Sequence, residues 1–346
     1  MTLPLYPVIL AGGKGERFWP LSTPESPKPF LRFFSDRSLL QQTYDRACRL
    51  AAPGHVFLIV GEQHESLSRE QLPELPAGNL LLEPTGRDTA AAIGYASLHL
   101  PVDALMLVMP ADHLIPDSAA FAADVHGAAA FLQQHDGLVT FGIRPMRPET
   151  NYGYLKSRTD NAGSGEFPVH PIDRFVEKPD RGRAEQYAQD PAYYWNSGIF
   201  LWRVSRIREL LAQHLPELWK GLQDLAGEKD PGILDEKYSQ LQRISIDFGV
   251  MEKADRVFVV PARFVWDDIG TWTSLLRVLS PDAAGNLVRG SVATLDTANC
   301  ILYSDSHTMA TAGITDLIVV QRGDKILICA REYADRLKEL LAKLPS

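Results

Sequence analysis

Ile9-Leu10-Ala11-Gly12-Gly13-Lys14-Gly15-Glu16-Arg17 is the stretch from which the fold is read. The apolar run 6–10 in front of it reads as a short buried strand, stopped abruptly by three glycines. Without Cβ atoms, a strand-to-helix turn can aim several backbone N–H groups at an anion and let a phosphate approach closely. Lys14, Arg17 and Lys28, the last in Pro27-Lys28-Pro29, add fixed positive charge. Two common glycine motifs do not fit. A dinucleotide fingerprint needs a third glycine where Phe18 stands, and a Walker A loop needs Gly-Lys-Ser/Thr after four intervening residues. A phosphate loop remains, with a bare surface turn as the alternative. A triphosphate carries about four negative charges, so fixed cations plus a metal ion are expected around it.

Outward from the loop, apolar runs at 56–60, 104–109 and 138–141 alternate with helical patterns at 39–50, 89–100 and 121–134. That alternation predicts βαβ units and an α/β fold with a doubly wound, mostly parallel, Rossmann-like sheet. Ligands of such sheets sit at the carboxyl ends of strands. Beyond residue 151 short strands at 152–156, 174–177 and 198–202, with a helix at Val204–His214, predict a mixed extension of the sheet. From 290 to 330 β-branched residues and small turns predict a small β domain, closed by a helix over 331–344. The expected domains are 1–280 and 287–346.

Composition narrows the function. Of 346 residues 45% are hydrophobic and 23% charged, as in a globular enzyme, and the net charge is −8. An acidic surface repels a polyanion, so no nucleic acid partner is expected. No apolar run approaches the roughly 20 residues that span a bilayer, so no membrane partner is expected either. Met1-Thr2-Leu3-Pro4-Leu5 lacks the basic flank and apolar core of a signal peptide. Cys48, Cys300 and Cys329 show neither a disulfide framework nor a zinc spacing, which fits a cytoplasmic setting. Asp112, in Pro110-Ala111-Asp112-His113, follows the apolar run 104–109. A carboxylate there points where ligands bind, and hard Mg²⁺ favours few carboxylates plus phosphate oxygens; a helix N-cap is the alternative.

Leu10-Ala11-Gly12-Gly13-x-Gly15-x-Arg17, Pro20-Leu21-Ser22 and Pro27-Lys28-Pro29-Phe30 together resemble the signature of nucleoside-diphosphate-sugar pyrophosphorylases. Within that superfamily the chain resembles the mannose-1-phosphate guanylyltransferase family, in its short form without a fused isomerase domain. At least six ordered blocks carry the likeness. It implies that Leu10 to Gly15 bind nucleotide, and that Arg17, Lys28 and Lys178 are catalytic. It also pairs Asp112 with Asp268 of Trp266-Asp267-Asp268-Ile269-Gly270 as Mg²⁺ ligands, the block Trp-x-Asp-x-Gly choosing Asp268 over Asp267.

Three further blocks imply a sugar-phosphate subsite. Gly153 of Asn151-Tyr152-Gly153-Tyr154 would meet a sugar hydroxyl through its backbone. Glu177 of Phe175-Val176-Glu177-Lys178-Pro179 would accept hydroxyls, Lys178 would pair with the phosphate, and Asn196 of Trp195-Asn196-Ser197-Gly198 would both donate and accept. In a strand Glu177 and Lys178 face opposite sides, so Pro179 or a bulge is expected to re-aim one of them. Asp247, in a further block from Ser245 to Lys253, receives no role. Glu83-Pro84-Thr85-Gly86-Arg87-Asp88-Thr89 resembles the guanylyltransferase block, although asparagine is more usual where Asp88 stands. Guanine presents adjacent N1–H and N2–H donors that a carboxylate can accept, which nominates Glu83 or Asp88 to read the base, with a helix cap as the alternative for Asp88 and the phosphates as the alternative target of Arg87. Arg87 and Thr89 complete the expected nucleotide set.

The implied reaction joins GTP and mannose 1-phosphate, with Mg²⁺, into GDP-mannose and pyrophosphate. The implied β domain is a partial left-handed β-helix used in packing or in a homodimer contact. Alternatives are another nucleotide or sugar 1-phosphate, and a non-catalytic sugar-nucleotide-binding relative. An NAD-dependent oxidoreductase is disfavoured by the failed glycine fingerprint.

Overall fold

A computed structural model describes residues 2–13, 15–33, 35–158, 167–228 and 230–344. Lys14, one of the expected nucleotide-binding residues, lies outside the described residues. The chain divides into two compact units. The first comprises Met1–Gly12, Gln42–Ala111 and Ile115–Trp266; the second comprises Gly13–Gln41, Asp112–Leu114 and Asp267–Ser346.

Among the described residues the first unit is built on nine strands: β1 (Leu5–Ala11), β2 (Phe57–Gly61), β3 (Leu80–Glu83), β4 (Leu105–Pro110), β5 (Leu138–Ile143), β6 (Tyr154–Ser157), β7 (His170–Val176), β8 (Tyr193–Arg203) and β9 (Val257–Pro261). They form one sheet in the order β3-β2-β1-β4-β8-β5-β9-β7-β6. The expectation of a mostly parallel sheet is corrected. The quartet β3-β2-β1-β4 is parallel, and so is the pair β5–β9. The long strand β8, however, runs antiparallel to β4, β5 and β6, and β7 runs antiparallel to β6 and β9. The sheet is mixed. Local apolar patterning marks a buried strand but carries no strand direction, so the entry of β8 between β4 and β5 is not readable from it.

The apolar strands meet helices of matching texture. The helix Asp88–Leu98 is buried along nearly its whole length through Ala90, Ala91, Ala92, Ile93, Gly94 and Ala96. Small side chains allow close approach: a Cβ on Gly94 would lie 2.4 Å from Leu222 Cδ1. That helix shares one core with Val8, Ile59, Met106, Val108, Phe200, Trp202 and the leucines of helices Val204–His214 and Pro216–Gln223.

Among the described residues the second unit carries six further strands: β10 (Leu287–Arg289), β11 (Val292–Leu295), β12 (Ile301–Ser304), β13 (Met309–Ala312), β14 (Leu317–Arg322) and β15 (Lys325–Ala330). Successive coils stack in parallel, Leu287 on Ile301, Ile301 on Ile318 and Val292 on Met309, before β15 turns back antiparallel on β14. This is β-helix-like. Asn286 is buried at a corner; its amide donates to the Thr297 carbonyl and accepts from Cys300 N–H, so it joins two coils through backbone groups. The coil residues Leu287, Ile301, Ile318, Val320 and Leu327 share a core with Phe18, Phe33, Ile269 and Trp272. The expected terminal helix resolves into a 3-10 segment, Arg331–Arg336, and a short α-helix, Leu337–Leu341. Among the described residues no helix is long and apolar enough to cross a membrane.

Candidate active site

In the second unit, the glycine loop opens into a 3-10 turn, Glu16–Phe18, and Lys28–Phe30 forms another. Gly13 and Gly15 have φ of 96° and 60°, the left-handed region that glycine enters without strain. Gly15 is doubly constrained, because a Cβ there would lie 2.5 Å from Lys28 Cβ and 3.0 Å from Lys28 N. By contrast a Cβ on Gly12 or Gly13 would meet nothing within 4 Å. Gly15 therefore packs on Lys28, whereas the Cβ directions of Gly12 and Gly13 are open.

Lys28 is 6% exposed. Its Nζ donates to Asp112 Oδ2 at 2.8 Å and also to the backbone carbonyl of Asp268. Residues 156 positions apart in the chain are thus gathered on one ammonium. The backbone explains how. Leu114 N–H donates to the Asp267 carbonyl at 2.8 Å, and Asp267 N–H returns to Leu114 O at 3.1 Å, pinning the segment after Asp112 to the segment before Asp268. Burial by itself would raise the Asp112 carboxyl, but the Lys28 ammonium and then His113 hold it below the usual range. His113 Nε2 lies 3.8 Å from Asp112 Oδ1. A Cβ on Gly270 would lie 3.2 Å from Asp268 Oδ2 and 3.7 Å from Arg17 Nη1, so Arg17 and Asp268 converge over that glycine.

Asp267 has a different task. Its carboxylate forks onto Arg277, with Nε donating at 2.7 Å and Nη2 at 2.9 Å, and also accepts Ile269 N–H at 2.8 Å. With those bonds it braces the turn, while Asp268 stands on the Arg17 side. The donor set fits Mg²⁺. Asp112 is half-buried on the Lys28 ammonium and Asp268 is half-buried on the Arg17 side, and among the described residues no group of three or more His, Cys, Asp or Glu forms a cage. Mg²⁺ keeps water and phosphate oxygens around one or two carboxylates, whereas a closed site would suit zinc.

In the first unit Leu10 and Ala11 end β1; Leu10 O accepts Ala111 N–H at 2.9 Å, which sets the end of β1 beside that of β4. The sugar-site candidates meet closely. Gly153 O accepts Asn196 N–H at 2.8 Å, and a Cβ on Gly153 would lie 2.5 Å from Glu177 Oε2. Lys178 Nζ lies 2.8 Å from Glu177 Oε1. What re-aims Lys178 is its own backbone, at φ 46° immediately beyond β7, with no bulge at that point. A cavity of ≈460 Å³ is lined by Glu177, Lys178, Asp88, Thr89, Arg243 and Asp247.

The base-reading candidates separate. Glu83 is buried, and its Oε1 accepts the Tyr238 hydroxyl at 2.6 Å. Burial raises its carboxyl, partly offset by the Tyr238 bond and reinforced by Asp88. Asp88 begins its helix at φ 69°, and its Oδ1 accepts Thr89 N–H at 2.8 Å. Thr89 Oγ1 accepts Ile246 N–H at 2.8 Å, tying the helix start to the segment that carries Asp247. Arg87 Nε is buried with no hydrogen-bond partner among the described residues. Sequence reading missed Tyr238, whose partner Glu83 lies 155 residues away, and Arg277, whose partner Asp267 is ten residues away but belongs to no recognisable pattern with it.

The nucleotidyl transferase family matches residues 6–284, and a mannose-phosphate isomerase/GMP-like β-helix domain matches residues 290–344. Mannose-1-phosphate guanylyltransferase of Escherichia coli (strain K12) is 38% identical over 352 residues, covering 98% of this chain and 73% of that protein. The chain belongs to the mannose-1-phosphate guanylyltransferase family. It is a nucleotidyltransferase. Xanthan biosynthesis protein XanB of Xanthomonas campestris pv. campestris (strain B100) is 41% identical over 355 residues, with 98% and 73% covered. A crystal structure described as mannose-1-phosphate geranyltransferase from Thermus thermophilus matches over 100% of both chains, at 37% identity and a TM-score of 0.88. The nucleotidyltransferase-like fold with a β-helix-like C-terminal domain is therefore shared along the whole length of the family member.

Proposed function

We propose that this chain transfers GMP from GTP to mannose 1-phosphate, releasing pyrophosphate and giving GDP-mannose. The names of its relatives support the substrates. The observation that carries the chemistry is the Lys28 ammonium, buried and joined to both Asp112 and the Asp268 turn.

In this reading a sugar-phosphate oxygen attacks the α-phosphorus in line; the new O–P bond forms as the bond to the β-phosphate oxygen breaks. No general base is needed, since the second ionisation of a phosphate monoester lies near pH 6. Asp112 and Asp268 would hold Mg²⁺, which when bound neutralises phosphate charge as it shifts. The Gly12–Gly13 backbone receives the triphosphate in open space. Arg17 and Lys28 steady the departing pyrophosphate. Gly153, Glu177 and Asn196 orient the sugar, Lys178 binds its phosphate, and Glu83 with Arg87, Asp88 and Thr89 serves the nucleoside. A catalytic domain 1–280, a β domain 287–346, a homodimer and a cytoplasmic setting belong to the same proposal.

The test measures pyrophosphate release with GTP, UTP, dTTP and ATP against mannose and glucose 1-phosphates, with and without Mg²⁺. GTP with mannose 1-phosphate should give the highest kcat/KM, and turnover should vanish without the metal. A higher kcat/KM for another pair, or metal-independent turnover, rejects the proposal.

A further inference from the structure

Asp247 lies in a π-helical turn, Asp247–Met251, whose start is fastened by the Ile246 N–H bond to Thr89. Its Oδ1 accepts from Asn196 Nδ2 at 2.9 Å. The orientation of that amide is fixed by its other end. Gly198 N–H can only donate, and it points at Asn196 Oδ1 at 3.3 Å, with Thr140 Oγ1 at 3.0 Å from the same oxygen. With the amide oxygen held there, its nitrogen is turned to Asp247. Asn196 is therefore gripped at both ends, and Asp247 supplies the only side-chain acceptor among the described residues for its NH₂.

The same carboxyl lines the cavity with Glu177, whose Oε2 rests against Gly153. Besides Asp247 and Glu177 the charged lining residues of the cavity are Asp88, Lys178 and Arg243, and Glu252 at the far end of the turn also feels Glu177. Burial, then the charge of Glu177, pushes Asp247 up to about 7. As pH rises through about 7 the Asp247 carboxyl gains its charge beside Glu177.

We propose that Asp247 is a positioning residue of the sugar subsite: it fixes the Asn196 amide and so holds that wall of the cavity, beside Glu177, in the arrangement that receives a hydroxylated ring. This rests on the reading of Gly153, Glu177 and Asn196 as sugar contacts.

The experiment is steady-state kinetics of wild type, Asp247→Ala and Asp247→Asn from pH 6 to 8.5, varying mannose 1-phosphate and GTP separately, alongside thermal unfolding of each. Asp247→Ala frees the Asn196 amide, and the KM for mannose 1-phosphate should rise ~10-fold, the equivalent of one lost hydrogen bond, while that for GTP stays within about twofold. Asp247→Asn keeps an acceptor for Asn196 and stays neutral, so it should recover most of that affinity at pH 7. In wild type the sugar-phosphate KM should climb above pH 7 relative to Asp247→Asn, as the second negative charge appears beside Glu177. An unchanged sugar-phosphate KM in Asp247→Ala, equal rises for both substrates, or parallel pH profiles in wild type and Asp247→Asn overturns the inference. If Asp247→Ala does not fold, the comparison of wild type with Asp247→Asn decides alone. A wild type that turns over no mannose 1-phosphate fails the functional reading; a wild type that does, with variants indistinguishable from it, fails this inference alone.

Discussion

Replacing Gly15 by alanine tests the link between loop geometry and catalysis. The new methyl carbon would lie 2.5 Å from Lys28 Cβ, at a residue whose φ is 60°. An ordinary carbon–carbon contact is ~3.5 Å, so Lys28 must retreat by about 1 Å. The left-handed backbone costs about 1–2 kcal/mol for a residue with a Cβ, and overpacking costs about 1–3 kcal/mol more. A loss near 3 kcal/mol lowers Tm on the order of 10 °C. The retreat also stretches the 2.8 Å contact with Asp112 beyond hydrogen-bond range, and a misplacement of about 1 Å can remove ~10²-fold of rate. Gly12→Ala is the control, because its added methyl meets nothing within 4 Å. It should leave Tm within about 1 °C and raise the KM for GTP ~10-fold, since the methyl occupies space proposed for phosphate. Calorimetry and pyrophosphate release measure both. Gly15→Ala with Tm and kcat/KM unchanged, or Gly12→Ala melting as low as Gly15→Ala, refutes the reasoning.

The neighbouring aspartates should part company. Asp268→Asn should lose ~10²–10³ in kcat with little change in Tm, whereas Asp267→Asn, which breaks the Arg277 fork, should cost about 2 kcal/mol and leave turnover within a few-fold at permissive temperature; equal effects of the two on kcat would reverse the assignment. Tyr238→Phe removes the hydroxyl that donates to Glu83. It should narrow the preference for GTP over ITP, which lacks the N2 amine, by several-fold, and an unaltered ratio of kcat/KM would free Glu83 from base reading. For stability, Asp247 is pushed up to about 7 in the folded protein, by burial first and Glu177 second, against about 4 unfolded. Its contribution is complete below about pH 4 and is lost as pH rises through about 7. Tm of wild type relative to Asp247→Asn should therefore fall from pH 5 to pH 8; a difference that grows with pH contradicts that sign.

Much of the first unit could be read from the sequence because it is written in local patterns. The apolar runs that form β1, β2, β4 and β5 and the helix Val204–His214 depend on neighbours a few residues away, as do the left-handed glycines in the second unit. The strands β3 and β9 are not legible in that way, being short apolar pieces whose burial is set by distant partners. The antiparallel insertion of β8 is hidden for the reason that strand direction is a property of pairing.

The site divides in the same way. Residue types and order nominated Arg17, Lys28 and Asp112, and likeness to a family picked Asp268 and paired the two acids. Tertiary structure decided what each carboxylate does. The Leu114–Asp267 bridge brings the distant segments onto Lys28, and Arg277 takes Asp267 while Asp268 meets Arg17 over Gly270. Asp247, silent in the chain, acquires a partner in Asn196, and Glu83 acquires one in Tyr238. A side chain's chemistry is local, whereas its protonation, orientation and availability are set by groups that folding brings within about 3 Å of it.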